Sequence, residues 1–101
     1  TDGEYFQALL RGVMEDVEAL EALFSPLLDR ALDDLDPIER NLLRMGTFEL
    51  KERIDVPYKV VINEAVSLAK KFGATESHRY INGILDKVAS ELRTVERAKE
   101  D

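Results

Sequence analysis

The sequence predicts an all-α fold, a compact helical bundle of four main helices and one short helix. Apolar residues recur every three or four positions along almost the whole chain, which is the period of one helix face. No segment alternates apolar and polar residues with a period of two, so a sheet is not expected. Proline and glycine interrupt the pattern at short intervals, which favours connections of a few residues between neighbouring helices.

The first predicted helix follows Asp2, a suitable N-cap, and carries one apolar stripe over about six turns. Ser25-Pro26 should end it, because proline disfavours helical geometry in the residue before it. The stripe consists of Phe6, Leu9, Leu10, Val13, Val17, Leu20 and Phe24. A short second helix is predicted from the apolar residues Leu27, Leu28, Ala31 and Leu32.

The next helix has the strongest start signal in the chain. Asp36 can cap it, Pro37 suits the first helical position, and Glu39 can complete a capping box. We expect this helix to run to about Arg53.

Asp55-Val56-Pro57 repeats this pattern and begins the following helix, which contains the segment VPYKVVINEA. Phe72-Gly73 should end that helix, because glycine readily adopts the left-handed conformation found after helix C-termini.

Thr75 or Ser77 should cap the last helix, whose apolar stripe is Ile81, Ile84, Leu85, Val88 and Leu92. Beyond Arg93 most residues are charged. We therefore predict a helical domain over residues 1–93 and a frayed tail over residues 94–101.

Three glycines fall inside predicted helices: Gly12, Gly46 and Gly83. A glycine in a helix interior costs about 1 kcal/mol relative to alanine. The expected reason is that helices cross there too closely to leave room for a β-carbon.

Composition limits the classes of function. The 101 residues suffice for one domain, and the net charge is −7. Residues 1–58 carry 14 acidic and 6 basic side chains, whereas residues 59–101 carry 7 acidic and 8 basic ones. This distribution is poor for binding nucleic acid by charge alone. It suits a basic protein partner, or simply an acidic surface that keeps the protein soluble.

Two absences favour a cytoplasmic protein. The chain has no cysteine, which is typical of reducing compartments, and no apolar run long enough to span a membrane. The chain begins with Thr1 rather than methionine, which suggests a fragment.

The sequence contains no motif typical of a nucleotide site, a hydrolase or a metalloprotease. The single histidine, His78, has no second histidine or cysteine to complete a metal site or triad. We therefore expect neither catalysis nor a metal.

The second half of the chain combines aromatic, basic and amide side chains around two helices. Such groups can stack on unpaired bases, hold phosphates and read base edges. From the residues alone, packing of the tyrosines and pairing of the lysines with a helix C-terminus explain them better. The residues are Tyr58, Lys59, Lys70, Lys71, His78, Arg79, Tyr80 and Asn82.

Two segments carry a resemblance to a known family. DVPYKVVINEA, residues 55–65, and NGILDK, residues 82–87, are similar in sequence and order to the C-terminal part of the NusB family of bacterial transcription antitermination factors. YFQALLRGV and IERNLLRMGTFEL also resemble the family's middle helices. The resemblance extends from Tyr5 to Leu92.

This resemblance implies an all-helical, non-enzymatic protein that needs no cofactor. Its family members pair with NusE, a small-subunit ribosomal protein. The pair binds boxA RNA of nascent transcripts within the antitermination complex, so that RNA polymerase reads through terminators, notably in ribosomal RNA operons. The family's arginine-rich N-terminal region has no counterpart here, which implies weakened RNA binding. It also implies uncovered apolar surface that favours a homodimer.

By the same resemblance, RNA would contact Glu76, Arg79 and Tyr80 at the start of the last helix. Asn63 would be their neighbour on the preceding helix, where its side chain and that of Glu64 lie near the polar edge.

A basic partner would meet acidic residues around the helix that begins at Pro37, namely Asp33, Asp34 and Glu39. Two other functions stay open. The chain could be an RNA-binding appendage of a ribosomal RNA cytosine methyltransferase, or a structural helical interaction domain.

Overall fold

The structure, a computed structural model, describes residues 2–72 and 76–99. Within these ranges there are α-helices and 3-10 turns but no strand, which confirms the all-α prediction. No helix in the described part is long and apolar enough to cross a membrane. The six α-helices are α1 (Asp2–Glu15), α2 (Val17–Phe24), α3 (Pro37–Glu52), α4 (Tyr58–Lys71), α5 (His78–Leu92) and α6 (Thr94–Ala98).

The prediction of one continuous N-terminal helix is wrong, because the helix breaks at Asp16. The backbone of Asp16 has φ −128° and ψ 22°, outside helical geometry, and its carboxylate pairs with Lys51 of α3 at 2.7 Å. The break lets α1 and α2 both pack against α3. Asp2 lies within the first turn of α1 rather than at its N-cap, and Phe6 is half exposed.

The predicted short second helix is also wrong. Two 3-10 turns, Ser25–Leu27 and Leu32–Asp34, take its place, and Leu28 and Ala31 between them are extended. A helix of so few residues is marginal by itself. Residues 25–36 therefore form a connector between α2 and α3. Its leucines Leu27, Leu28 and Leu32 each pack against the main core.

The capping box at the start of α3 is confirmed. The Asp36 carboxylate accepts from the Glu39 backbone N–H at 2.8 Å, and Glu39 accepts from the Asp36 N–H at 3.1 Å. The helix ends at Glu52, with Arg53 as its C-cap.

Helix α3 is central, because α1, α2, α4 and α5 all pack against it. The main core lies between α3, α4 and α5 and includes the fully buried residues Leu43, Leu50, Val61, Ile81 and Leu85. A smaller cluster joins α1 and α2 to the outer side of α3 through Leu9, Val13 and Leu20.

Close helix crossings explain two of the three helical glycines. A β-carbon at Gly46 would lie 2.7 Å from a methyl of Leu85, and one at Gly12 would overlap the Phe48 ring. The same explanation is wrong for Gly83, where a β-carbon would meet open space.

The connection between α4 and α5 is only partly described. Phe72 is the C-cap of α4, as predicted, whereas Gly73 and Thr75 lie outside the described residues. Ser77 is the N-cap of α5, but its hydroxyl does not cap that helix. It donates instead to the Glu39 carboxylate at 2.6 Å.

The chain after α5 differs from the predicted frayed tail. Arg93 is 4% exposed, and α6 follows it directly. Glu96 of α6 accepts from the Tyr58 backbone N–H at 2.9 Å and from Arg93 at 2.6 Å. These contacts hold α6 against the start of α4. Residues 100 and 101 lie outside the described ranges.

Candidate functional site

The first turn of α5 carries two of the predicted site residues, Arg79 and Tyr80, and Glu76 lies two residues before that helix. Glu76 and Arg79 are exposed, and Tyr80 is half-buried. Because Ser77 donates to Glu39, the start of α5 is fixed beside the start of α3. The residues predicted to contact RNA and Glu39, predicted to contact a protein, therefore lie near each other.

Tyr80 is held by the connector between α2 and α3. Its hydroxyl donates to Asp29 Oδ1 at 2.9 Å and accepts from the Asp29 backbone N–H at 3.3 Å. The Arg30 guanidinium lies over the Tyr80 ring, 4.3 Å from its centroid, and pairs with Asp29 at 2.8 Å. We call Asp29, Arg30 and Tyr80 the connector triad.

The electrostatics of the connector triad follow from these bonds. Hydrogen bonds from Arg30 and then from Tyr80 lower the pKa of the Asp29 carboxyl below its ordinary value. Partial burial, together with the neighbouring Asp29 carboxylate, raises the pKa of the Tyr80 hydroxyl. Asp29 is therefore charged and Tyr80 neutral at pH 7. Sequence reasoning missed Asp29 and Arg30, since 51 positions separate Asp29 from Tyr80.

Asn63 belongs to a different patch. It lies on the exposed face of α4, about two turns before the end of that helix. It lines an open groove of about 530 Å³ with Val60, Glu64, Ser67, Leu68 and Lys71. The structure thus places Arg79 and Tyr80 in the first turn of α5, with Glu76 just before it, and Asn63 on the exposed face of the neighbouring helix.

The other aromatic, basic and amide residues of the second half of the chain differ in their exposure. Tyr58 is 5% exposed, with Arg97 over its ring at 5.1 Å, so the packing explanation holds for it. The side chains of Lys59, Lys70, Lys71 and Asn82 are exposed.

The acidic residues predicted to meet a partner differ in accessibility. The Asp33 side chain is 92% exposed and lies 3.4 Å from Arg40, and Asp34 is also exposed. Glu39 is 8% exposed, and its two carboxylate oxygens accept from the Asp36 N–H and the Ser77 hydroxyl. Glu39 therefore joins α3 to α5 from a buried position.

Stacking and charge pairing are the chemistry that this surface offers. In the described part of the chain, no group of three or more histidine or acidic side chains could hold a metal ion. Arg30, Arg79 and Tyr80 offer planar and cationic groups suited to bases and phosphates.

Comparison with known proteins identifies the family. A sequence model of the NusB family matches residues 1–90. The transcription antitermination protein NusB of Teredinibacter turnerae is 60% identical over 96 residues, which cover 94% of this chain and 65% of that protein. The protein of the same name from Hydrogenovibrio crunogenus is 50% identical over 101 residues, covering 100% of this chain and 63% of that protein.

A solved structure of T. maritima NusB superposes with a TM-score of 0.81 at 37% identity, over 87% of this chain and 63% of that one. This chain thus spans less than two thirds of these relatives. The relatives are named as antitermination proteins rather than as enzymes. From the family match over residues 1–90 and from these identities, the chain belongs to the NusB family.

Proposed function

We propose that this chain is the RNA- and protein-binding part of a transcription antitermination factor. Together with the ribosomal protein NusE it binds boxA RNA of nascent transcripts, and RNA polymerase then reads through terminators, notably in ribosomal RNA operons. The observation that carries the proposal is the family match over residues 1–90, joined to relatives named for antitermination at 50–60% identity.

The RNA contact in this proposal is the first turn of α5. Arg79 is exposed there and supplies charge for a phosphate, and Tyr80 supplies an aromatic group. Glu76 is an exposed acceptor at the same end. Asn63, on the exposed face of the neighbouring helix α4, is a further RNA contact in this proposal.

The protein contact in this proposal is the acidic surface before α3. Asp33 and Asp34 are exposed and acidic, which complements a basic ribosomal protein. Glu39 contributes by fixing the start of α3 against α5, since both of its oxygens are already hydrogen-bonded. A partner bound at this surface lies next to the RNA contact, so the two form one continuous platform.

Fluorescence anisotropy with labelled boxA RNA tests the proposal. We expect weak binding by the chain alone, because its net charge is −7, and clear binding once NusE is added. A scrambled RNA of equal length and base composition is the control. Equal affinity for both RNAs in the presence of NusE would contradict the proposal.

We also propose that the chain forms a homodimer through the apolar surface beside α1. A groove of about 380 Å³ lies between α1, α3 and α4, and the half-exposed Phe6 stands at its rim. An exposed apolar surface of this kind favours self-association. Light scattering after size-exclusion chromatography should give a mass near twice 11.5 kDa at high concentration. A monomer mass at every concentration would rule the homodimer out.

A further inference from the structure

We propose that Arg30, which lies over the Tyr80 ring, is a further RNA-binding residue whose outer face stacks on an unpaired base. The inference rests on the proposed function, because it concerns the same RNA surface. It concerns the connector between α2 and α3, which neither the sequence pattern nor the resemblance marks as part of that surface.

The first step concerns what Tyr80 can still offer. Its hydroxyl donates to Asp29 Oδ1 at 2.9 Å and accepts from the Asp29 N–H at 3.3 Å, so both capacities are in use. One face of its ring is covered by the Arg30 guanidinium at 4.3 Å. A base that approaches from that side meets the guanidinium before it meets the ring.

The second step concerns the stacking surface that the Arg30 guanidinium presents instead of the Tyr80 ring. A guanidinium is planar and delocalised, and it stacks on aromatic rings and on bases alike. Its side chain is 42% exposed, although Asp29 and Tyr80 both hold it. A side chain ordered before binding loses less entropy on binding. Arg30 is thus a preformed stacking platform between the ring and solvent.

The third step concerns charge. Arg30 uses Nε and one terminal nitrogen toward Asp29, at 2.8 and 3.5 Å, so the pair is nearly neutral as a unit. Arg79, in the same turn of α5 as Tyr80, adds an exposed positive charge. Stacking on Arg30 and phosphate pairing with Arg79 together fit single-stranded RNA.

The structure provides a matched control elsewhere in the chain. Arg53 lies over the Tyr5 ring at 4.8 Å and pairs with Asp55 at 3.4 Å. Its side chain is 38% exposed, close to the value for Arg30. Arg53 therefore repeats the same chemistry on the α1 side of the molecule, at the end of α3.

The test compares Arg30→Lys with Arg53→Lys in the presence of NusE and boxA RNA that contains 2-aminopurine. Lysine keeps the charge but loses the planar stack. We expect Arg30→Lys to weaken RNA binding about fivefold or more and to reduce the stacking-dependent quenching of 2-aminopurine, since a stacked base contributes about 1–3 kcal/mol. Arg53→Lys should leave both readouts within about twofold of the unsubstituted chain.

Each remaining outcome is decisive. If Arg30→Lys lowers only the thermal midpoint and leaves quenching in the bound state unchanged, the connector triad is a structural tie and the inference is wrong. If the unsubstituted chain binds boxA RNA and both variants bind equally well, the inference fails while the proposed function stands. If the unsubstituted chain with NusE does not bind boxA RNA, both are overturned.

Discussion

Arg93 joins parts of the chain that lie about 40 residues apart in the sequence. It is 4% exposed, and it donates to the backbone carbonyls of Glu49, Leu50, Arg53 and Val56 at 2.8–3.2 Å. Two of these carbonyls also accept from the backbone: Glu49 from the Arg53 N–H at 2.9 Å and Arg53 from the Val56 N–H at 3.0 Å. The Leu50 carbonyl, in the last turn of α3, accepts from Arg93 Nε, and a positive charge at a helix C-terminus interacts favourably with the helix dipole. Arg93 therefore supplements the backbone C-cap at Arg53.

Replacing Arg93 should destabilise the fold strongly. Arg93→Met removes the donors to the Leu50 and Val56 carbonyls, while those of Glu49 and Arg53 keep a backbone donor, and we expect the free energy of unfolding to fall by about 3 kcal/mol. Urea denaturation followed by circular dichroism measures the change. The control is Arg79→Met, which alters an exposed arginine of α5 and should stay within about 0.5 kcal/mol. A loss below about 1 kcal/mol for Arg93→Met would contradict the capping role.

Glu49 is a second residue whose burial has a measurable consequence. It is 6% exposed, and it accepts from the Tyr5 hydroxyl at 2.8 Å. Burial raises the pKa of the Glu49 carboxyl above its ordinary value of 4.5, although the Tyr5 hydrogen bond opposes the shift. Burial, together with Glu49, raises the pKa of Tyr5 to about 12.

The raised pKa of Glu49 gives a stability change of known sign. The folded state binds the Glu49 proton more tightly than the unfolded state does, so this residue's contribution is greatest below pH 4.5. It is lost as the pH rises through the folded pKa. We therefore expect Glu49→Gln to gain stability relative to the unsubstituted chain between pH 4 and pH 7. Denaturation curves at several pH values check this, and a constant difference would contradict it.

At the scale of helices, the glycines show how close packing and helix propensity compete. Gly46 lies where α3 crosses α5, and Leu85, which it faces, is fully buried and has little room to move. Gly83 lies on the open side of α5. The same substitution should therefore have opposite effects at these two positions.

We expect Gly46→Ala to lower the free energy of unfolding by about 1–2 kcal/mol, because overpacking outweighs the gain in helix propensity. Gly83→Ala should raise it by up to about 1 kcal/mol, since only the propensity gain applies. Thermal and urea unfolding of both variants provide the comparison. Changes of the same sign would show that the crossing at Gly46 does not restrict its side chain.

Helix starts could be predicted where the signal is local. Asp36 and Glu39 are three residues apart, so their capping box is visible in the sequence and is present in the structure. The break at Asp16 could not be predicted, because its carboxylate pairs with Lys51, 35 positions away. The apolar stripe continues across the break and hides it.

In the candidate site, too, only the features that depend on nearby residues could be predicted from the sequence. Glu76, Arg79 and Tyr80 lie within five positions of the sequence, and the family resemblance alone proposes them as a site, which stays a prediction. Arg30 stacks on Tyr80 from across the fold, and no local pattern indicates that contact.

At the scale of the whole molecule, two surfaces can be distinguished: the acidic surface before α3 and the start of α5. The acidic residues are concentrated in the first 58 positions, and the residues proposed to contact RNA lie around the start of α5. The hydrogen bond between Ser77 and Glu39 holds the starts of α3 and α5 together, so the two surfaces meet there. The proposed contacts with RNA and with a basic partner would therefore lie side by side.

The most direct test of this account is an NMR titration of the 11.5 kDa chain with NusE and then with boxA RNA. The addition of NusE should shift the amide signals of Asp33 and Asp34. The subsequent addition of RNA should shift those of Glu76, Arg79 and Tyr80, with a smaller change at Asn63. RNA-induced shifts that leave the start of α5 unchanged, or that occur only at the acidic surface, would contradict the account.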